Sequence, residues 1–439
     1  MSNFDECSKP VLSSGKCWPW LVVIFLLAFS LRLLANVMFE DLHDGPNFSA
    51  FGSDGVEFNA LASNLARHQE YAVQPGQPTS FRAPGFPFAL AAVYGIFGAD
   101  NFPAARIFFC LIGALLTVVV FLLGREVADT LTALLAAGLV AVYPNLLYYT
   151  IHFASEPLYI LLSSASVWTF LRAVKSRSWG QYAASGFILG LATLTRPAGI
   201  FFVPFFALGA LLLARRDLRR TVLGVCLYGA AALLAITPWT IRNYVVHERF
   251  VFVTSNGGST FWGSNNQLVL ADPEHQGDWV STERLGEQKA AVHKLPNEID
   301  RDHLEWEYGK QFIALNPQAV PRLLWYKLRA FWWPIPTTPN QKFNMIISLS
   351  YGALLPLIVA GFWLLLKQRP HSTTQLAILT LPIQATVLAT VVFYGSARFR
   401  CTIEPFLLVF AAVAITALLK VLEAASMRLR SPWLSLKIG

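Results

Sequence analysis

Two acidic residues beside apolar segments are candidate site residues, Asp54 as a proton acceptor and Glu156 as part of a polar site that faces Asp54. Asp54 stands in Gly52-Ser53-Asp54-Gly55, ahead of a stretch whose apolar residues recur at helical spacing, and Glu156 opens Glu156-Pro157 between two apolar runs. A carboxylate at such a boundary can accept a proton from a hydroxyl group. Either residue could instead stabilise a helix N terminus through the helix dipole. The sequence alone leaves both interpretations open.

Five arginines occupy similar boundary positions. They are Arg82 in Arg82-Ala83-Pro84-Gly85-Phe86-Pro87, Arg196 in Thr195-Arg196-Pro197, Arg242 in Pro238-Trp239-Thr240-Ile241-Arg242, and Arg398 and Arg400 in Ala397-Arg398-Phe399-Arg400. A guanidinium pairs with two phosphate oxygens at once, so each is a candidate phosphate ligand. The alternative for each is an arginine that merely extends its charge to the membrane surface. Several arginines at one depth favour the phosphate interpretation.

A polar segment that follows residue 253 is a candidate sugar site. Its candidate binding residues are Asn256, Trp262, Asn265 and Asn266. Amide groups form hydrogen bonds with hydroxyls, and an exposed indole offers an apolar face on which a sugar ring can stack. The alternative is a flexible glycine-containing turn after a short strand-like stretch at 250–253.

Several kinds of site have no motif in the sequence. The eight histidines show neither HExxH nor HxH spacing, so no metal ligands are predicted from motifs. A phosphate-binding P-loop, a dinucleotide fingerprint and a GxSxG nucleophile elbow are also missing, so no nucleotide cofactor is indicated. The net charge of +8 reflects basic residues that flank membrane segments, and no nucleic-acid partner is predicted.

The composition identifies the elements that must position these residues. The chain has 439 residues, of which 55% are hydrophobic and 14% are charged, and its mean hydropathy is +0.48. Soluble domains carry about 25% charged residues, so the chain is predicted to be a polytopic membrane protein. The apolar runs lack the strict alternation of barrel strands, which favours an all-α helix bundle.

Ten uncharged runs could cross the membrane, the shorter ones with a flanking Arg or Lys that reaches the interface. They lie at 17–31, 107–124, 130–155, 157–171, 178–195, 197–214, 221–241, 343–366, 370–397 and 405–419. An eleventh run, 83–99, would place most basic short loops outside if it crossed. Cytoplasmic loops are enriched in Lys and Arg, so we interpret 83–99 as an outer interfacial helix and predict about ten spans with both ends cytoplasmic.

This topology divides the chain into five parts. They are a cytoplasmic tail (1–17), an N-terminal transmembrane catalytic module (18–239) with an external loop (39–103), an external region (240–341), C-terminal transmembrane helices (342–422) and a second cytoplasmic tail (423–439). The external region is predicted to contain an interfacial helix over Leu304–Ala330, with Trp325, Trp332 and Trp333 in the aromatic belt. The boundary arginines named above are then external, against the positive-inside bias, which favours a negatively charged partner such as a lipid phosphate.

The ordered set of motifs resembles the GT-C membrane glycosyltransferases, particularly the bacterial branch related to protein O-mannosyltransferases and the lipid A aminoarabinose transferase. The resemblance covers about residues 18–420. It rests on Asp54 ahead of an amphipathic helix, on the arginine motifs and Glu156-Pro157, and on Ser255-Asn256-Gly257-Gly258, Gly263-Ser264-Asn265-Asn266 and Ile403-Glu404-Pro405.

This resemblance implies an inverting transfer from a polyprenyl-phosphate sugar to a hydroxyl of a glycan, lipid or protein, at the outer face of the inner membrane. Asp54 would be the general base and the boundary arginines would bind the lipid phosphate. Glu156 matches the second acidic position of the family, where it would orient the acceptor, the sugar or a divalent metal.

Two other classes of protein remain open from the residues alone. A lipid or sugar transporter would also need many spans and phosphate-binding arginines, but its polar groups should lie near the bilayer midplane. A non-catalytic scaffold would tolerate loss of every carboxylate. The transferase hypothesis expects Asp54, Arg82, Glu156 and Arg242 to line one outward cavity.

Overall fold

A computed structural model describes residues 17–46, 53–213, 218–272, 276–333, 341–367 and 373–434. Most of the predicted tail 1–17, the end of the tail 423–439 and residues 47–52 of the external loop lie outside the described residues. The ends of the runs 197–214 and 370–397 do so as well.

The described residues of the first half of the chain form ten helices. They are α1 (Trp18–Phe39), α2 (Asp54–His68), α3 (Gly85–Phe97), α4 (Phe102–Val127), α5 (Thr130–Val142), α6 (Pro144–Thr150), α7 (Glu156–Ser176), α8 (Trp179–Thr195), α9 (Phe202–Leu213) and α10 (Leu218–His247). A 3-10 turn, Pro197–Phe201, precedes α9. Side chains cap several of these helices; Asn101, for example, accepts a hydrogen bond from the N–H of Ala104 at the start of α4.

In the second half, the described residues form nine further helices. They are α11 (Gly257–Ser264), α12 (Gln267–Ala271), α13 (Gly286–His293), α14 (Glu298–Leu315), α15 (Val320–Trp332), α16 (Gln341–Lys367), α17 (Thr373–Val392), α18 (Ala397–Arg400) and α19 (Glu404–Leu434). The described residues contain no strand, and Ala72 and Pro78 form an isolated antiparallel bridge. The prediction of an all-α membrane bundle is confirmed.

Within the part of the chain that the structure describes, seven helices are long and apolar enough to cross a membrane: α1, α4, α7, α10, α16, α17 and α19. The run 130–155 forms the pair α5 and α6, bent by 52°. Pro144 begins α6 and has no N–H, and Arg32 of α1 donates to the carbonyl oxygens of Val140 and Ala141 near the bend (3.2 Å each). The runs 178–195 and 197–214 form the shorter helices α8 and α9. Length therefore supports seven or eight full spans rather than ten among the described residues.

The run 83–99 forms α3, which has 13 residues. At 1.5 Å per residue it is about 20 Å long, too short for a hydrocarbon layer of about 30 Å. The interpretation that this run does not form a full span is therefore supported. The amphipathic helix predicted after Ser53 is confirmed as α2, and α3 packs against it.

Close backbone approaches hold the bundle together at glycines. Helices α7, α8 and α10 pack together, and α16 packs along α19. A Cβ atom added at Gly186 of α8 would lie 2.0 Å from the carbonyl oxygen of Tyr228 in α10, and one at Gly361 would lie 1.8 Å from that of Phe410. Larger side chains at these positions would force the helices apart.

Three local predictions about the external region need correction. Residues 250–253 do not form a strand; side chains of α10 bind their carbonyls, as when Trp239 Nε1 donates to Val253 (2.7 Å). The predicted helix Leu304–Ala330 is two helices, α14 and α15, because Pro317 interrupts it. The boundary predicted at 239 falls inside α10, which continues to His247.

Candidate active site

Two carboxylates occupy the first positions of two helices at one end of the bundle. Asp54 begins α2 and Glu156 begins α7. The unpaired N–H groups and the dipole of a helix N terminus favour negative charge there. A Cβ atom at Gly55 would lie 3.2 Å from the carbonyl oxygen of Phe153, so the start of α2 lies directly against the turn that leads into α7.

Arg398 joins the two carboxylates. Its Nη1 lies 2.8 Å from Oδ2 of Asp54, and its Nε donates a hydrogen bond to Oε1 of Glu156. The four-residue helix α18 positions this side chain; the hydroxyl of Ser396 caps α18 by accepting from the N–H of Arg398 (3.3 Å). A residue near the C-terminal end of the bundle thus completes a site begun by residues of the first third of the chain.

Arg82 contacts Asp54 from the opposite side. Its Nη2 lies 2.9 Å from Oδ1 of Asp54, and its Nε donates to Glu57 one turn further along α2 (2.6 Å). The turn that carries Arg82 is itself fixed: Glu298, at the start of α14, accepts from the Thr79 hydroxyl and from the N–H of Ser80 (2.6 Å each). The external region therefore helps to position a residue of the cluster.

Arg196 supplies the third guanidinium. Its Nη1 lies 2.6 Å from Oε1 of Glu156 and 3.2 Å from the hydroxyl of Ser155, and the guanidinium stacks over the ring of Phe399. The Glu156 side chain is fully buried, and its Oε2 has no hydrogen-bond partner among the described residues. A buried carboxylate normally fills its acceptor sites, so this oxygen is available to a further donor.

The cluster balances its own charge, because three carboxylates (Asp54, Glu57 and Glu156) face three arginines (Arg82, Arg196 and Arg398). Burial would raise the pKa of Asp54, but the positive charges of Arg398 and Arg82 outweigh burial and hold that pKa below its usual value. The same contacts raise the pKa of Arg398 although burial alone would lower it. A phosphate could exchange for a carboxylate as the partner of these guanidinium groups.

An apolar cavity of about 660 Å³ opens beside the cluster. Its walls come from α2, α3, α7, α8 and α10, with lining residues that include Leu65, Ala89, Leu158, Leu191 and Trp239. Pro84, Gly85 and Thr195 also line it, next in sequence to the Arg82 and Arg196 segments, and Leu158 follows Glu156 by two residues. An elongated apolar group in this cavity would therefore end near the arginines.

Known proteins resemble the chain in sequence and in structure. Residues 81–241 match the sequence model of the family described as dolichyl-phosphate-mannose-protein mannosyltransferase. No curated protein matches the chain significantly in sequence. The oligosaccharyltransferase AglB of Archaeoglobus fulgidus superposes with a TM-score of 0.58 in its apo form, at 18% identity, over 95% of this chain and 52% of that one. The fold is that of the GT-C glycosyltransferases.

Other solved structures match as well, two of which contain a lipid phosphate. AglB in complex with an inhibitory peptide and a dolichol-phosphate gives a TM-score of 0.57 at 18% identity, over 94% of this chain and 51% of that one. ArnT of Cupriavidus metallidurans bound to undecaprenyl phosphate gives a TM-score of 0.44 at 14% identity, over 92% of this chain and 78% of that one. The chain spans about half the length of the AglB chains. The family description names a mannosyltransferase, and AglB is named an oligosaccharyltransferase.

Arg242 does not join the cluster within this GT-C fold. Its Nη1 donates to the carbonyl of Thr79 (2.8 Å), and its guanidinium stacks on Trp239 at 4.8 Å from the ring centroid. Arg242 instead lines the apolar cavity. Of the four residues expected in one outward cavity, the structure thus brings together Asp54, Arg82 and Glu156 and places Arg242 at the neighbouring cavity.

Arg400 does not face the cluster either. Its side chain is fully buried, pairs with Glu404 (3.3 Å), donates to the carbonyl of Trp333 (2.5 Å) and stacks on Tyr351. The prediction that Arg400 binds a lipid phosphate is therefore wrong in this structure. Residues 398 and 400 lie on a helix, where side chains two positions apart point in different directions.

The predicted sugar site at 256–266 is wrong in its geometry. The segment forms α11, and the Trp262 side chain is 1% exposed rather than open for stacking. The amides of Asn265 and Asn266 are buried and donate to the carbonyls of Phe261 and Trp262 (2.7 and 2.8 Å). Asn256 is half-buried and accepts from the Thr254 hydroxyl. Packing of α14 on α11 favours a helix here although the glycine-rich sequence indicated a turn.

Sequence reasoning missed two members of the site. Glu57 holds Arg82, and its position three residues after Asp54, on the same face of a helix, was a usable signal. Tyr394 lies between α17 and α18, and its hydroxyl interacts electrostatically with Arg398, Arg196 and Asp54. Burial raises the pKa of Tyr394 to about 12, so it stays protonated and can donate a hydrogen bond.

The described residues include no cluster of typical metal-binding side chains. None of them belongs to a group of three or more His, Cys, Asp or Glu side chains arranged to hold a metal ion. The guanidinium of Arg398 contacts the carboxylates of both Asp54 and Glu156. The donor set suits an anion at the arginines better than a cation at the carboxylates.

Proposed function

We propose that this chain is an inverting glycosyltransferase that moves a sugar from a polyprenyl phosphate to the hydroxyl of a glycan, lipid or protein. The reaction would take place on the outer face of the inner membrane. The observation that carries the proposal is the contact of Arg398 with both Asp54 and Glu156, beside an apolar cavity. A charged headgroup site next to an apolar groove suits a lipid phosphate.

The donor would bind with its phosphate on Arg82, Arg196 and Arg398 and its first isoprene units in the cavity. Each buried CH₂ group contributes about 0.8 kcal/mol, so the tail supplies binding energy away from the reacting atoms. The phosphate would accept hydrogen bonds that the arginines donate to carboxylates in the protein without donor. Asp54 loses part of its positive surroundings, and its pKa rises toward the range of a useful base.

Asp54 would then remove the proton from the acceptor hydroxyl. The hydroxyl oxygen attacks the anomeric carbon from the face opposite the phosphate, the bond from that carbon to the phosphate oxygen breaks, and the configuration inverts. The departing phosphate gains one negative charge, which the three arginines stabilise. Glu156 would act as a positioning residue, since it holds Arg196 and Arg398 in place.

The proposal is tested with purified protein in nanodiscs and synthetic polyprenyl-phosphate hexoses and pentoses, with free polyprenyl phosphate as the measured product. Asp54→Asn should reduce product formation by about 10²- to 10⁴-fold. Asp41→Asn, at an exposed carboxylate before α2, is the matched control and should keep full activity. Equal activity of Asp54→Asn and the wild type would remove Asp54 from the mechanism.

A deletion strain identifies the acceptor. Mass spectrometry of its surface glycans, lipids and proteins should reveal one lost hexose, pentose or aminosugar. An unchanged envelope together with turnover of a synthetic donor would show that the acceptor lies outside these classes.

A further inference from the structure

A short loop of the external region lies clamped beside the cluster. The N–H of Gly395, two residues before α18, donates to the carbonyl of Gly277 (2.7 Å). Gly277 has a φ of +81°, and a Cβ atom there would lie 2.2 Å from the backbone of Tyr326 in α15. Position 277 therefore requires glycine for both its conformation and its surroundings. The loop is held from two sides, and the residues after it have fixed positions.

Trp279 presents an indole from this loop. Its Nε1 donates to the carbonyl of Ser259 (3.2 Å), and a Cβ atom at Gly263 would lie 2.1 Å from Nε1, so the ring edge rests on α11. The neighbouring N–H of Val280 donates to Gly263 (2.9 Å). Even so, Trp279 is 37% exposed. An indole that is fixed in orientation and yet exposed costs little entropy when a ligand stacks on it.

Asp278 connects Trp279 to the reacting groups. Its Oδ1 accepts from the N–H of Trp279 (2.8 Å), which keeps the carboxylate beside the ring. It directly follows Gly277, whose carbonyl accepts from the N–H of Gly395, three residues before Arg398. A ligand on the loop would therefore extend toward the proposed general base.

We propose that Asp278 and Trp279 bind a sugar ring of the acceptor, so that the group glycosylated is a saccharide hydroxyl. A sugar presents apolar C–H faces that stack on an indole and hydroxyls that donate to a carboxylate. An extended peptide would more often pair with a strand edge, and the described part of the external region has no strand. This inference rests on the proposed transferase function.

Saturation-transfer difference NMR on the full-length protein in nanodiscs tests the inference. The probes are a panel of methyl glycosides and disaccharides of common envelope sugars, with serine- and threonine-containing peptides of similar mass. We expect signal from at least one saccharide, weakened about tenfold in Kd by Trp279→Ala and less by Trp279→Phe. Trp325→Ala removes a 64% exposed indole of α15 and should leave binding unchanged.

The outcomes separate this inference from the proposed function. Asp54→Asn should bind the saccharide normally, because the base is not needed for binding. Saccharide binding without turnover of any donor supports the subsite and counts against the transferase proposal. The subsite is overturned if the protein turns over a donor but no saccharide gives a signal, whether or not peptides do. It is also overturned if the protein turns over a donor and Trp279→Ala binds the saccharide as well as the wild type does. Binding of polyprenyl phosphate by Trp279→Ala confirms that the variant is folded.

Discussion

Arg398 and Asp54 form an ion pair between two ends of the chain, with Nη1 of Arg398 2.8 Å from Oδ2 of Asp54. The same guanidinium also binds Glu156, whose carboxylate is fully buried. A single arginine thus joins α2, α7 and α18.

Removal of Arg398 should affect both stability and activity. Arg398→Met leaves Glu156 with Arg196 as its charged partner in the cluster, and loss of one partner of a buried pair costs about 3–5 kcal/mol. Thermal unfolding in detergent should show this loss, and donor turnover should fall to background. Arg398→Lys retains the charge but not the planar fork, so it should recover stability more than activity.

The matched control for Arg398 is Arg67→Met. Arg67 pairs with Asp100 at the far end of α2 and is 52% exposed. Exposed pairs contribute about 0–1 kcal/mol, so this variant should unfold and turn over like the wild type. Equal destabilisation by both substitutions would contradict a special role for Arg398.

The pH dependence of turnover should differ between the free and the loaded protein. In the free protein, Arg398 and Arg82 outweigh burial and lower the pKa of Asp54, so the acid limb of kcat/KM should lie below about pH 4. A bound phosphate competes for these arginines, so the acid limb of kcat should lie at higher pH. Coincident limbs would show that the donor does not change the surroundings of Asp54.

The lowered pKa of Asp54 also predicts the direction in which the free energy of unfolding changes with pH. A carboxyl whose folded pKa lies below its unfolded value contributes stability above the unfolded pKa and loses it as pH falls through the folded pKa. The wild type should therefore lose more unfolding free energy than Asp54→Asn between about pH 5 and pH 3.

A substitution within the apolar cavity should discriminate between donors by tail length. Ala89→Trp places an indole in the space proposed for the first isoprene units, so the KM of a long polyprenyl donor should rise about tenfold. A donor whose lipid ends before the cavity wall should be little affected. Ile96→Trp, on the same helix but 76% exposed and outside the cavity, should change neither KM. An unchanged KM for Ala89→Trp would place the tail elsewhere.

A methyl group at Gly85 should disturb the two segments that carry Arg82 and Arg196. Its Cβ would lie 2.6 Å from the hydroxyl oxygen and 2.8 Å from the N atom of Thr195, so α3 and the end of α8 must separate. A shift near 1 Å can lower a rate about 100-fold, and turnover of Gly85→Ala should fall on that order. Gly95→Ala is the control, since nothing lies within 4 Å of that position on the same helix.

The sequence predicted the parts of the fold that depend on local composition. Uncharged runs identified the apolar helices, and the basic loops argued correctly that 83–99 does not form a full span. Composition could not reveal the bend at Tyr143–Pro144. The bend involves a contact that is distant in sequence, in which Arg32 donates hydrogen bonds to carbonyl oxygens near the break. Nor could composition show that α11 is helical, since packing on α14 overrides the turn preference of Gly257 and Gly258.

The sequence predicted the candidate site only as far as charged residues at the ends of apolar segments indicate their depth in the membrane. Depth in the membrane can be read from the sequence, but position around the bundle cannot. Arg82, Arg196 and Arg398 therefore had the same signature as Arg242 and Arg400, which point elsewhere. Exposure was equally hidden: Trp262 is buried and Trp279 is half-exposed, although both stand in polar stretches.

The contact of Arg398 with Glu156 also bears on how the protein is made. Glu156 leaves the ribosome before Arg196 and long before Arg398, so the growing chain contains an acidic helix start whose final partners do not yet exist. An unpaired carboxylate entering a membrane is best tolerated when it carries a proton. Insertion of the last helices would then release that proton, and Glu156 would acquire its charge only when synthesis is complete.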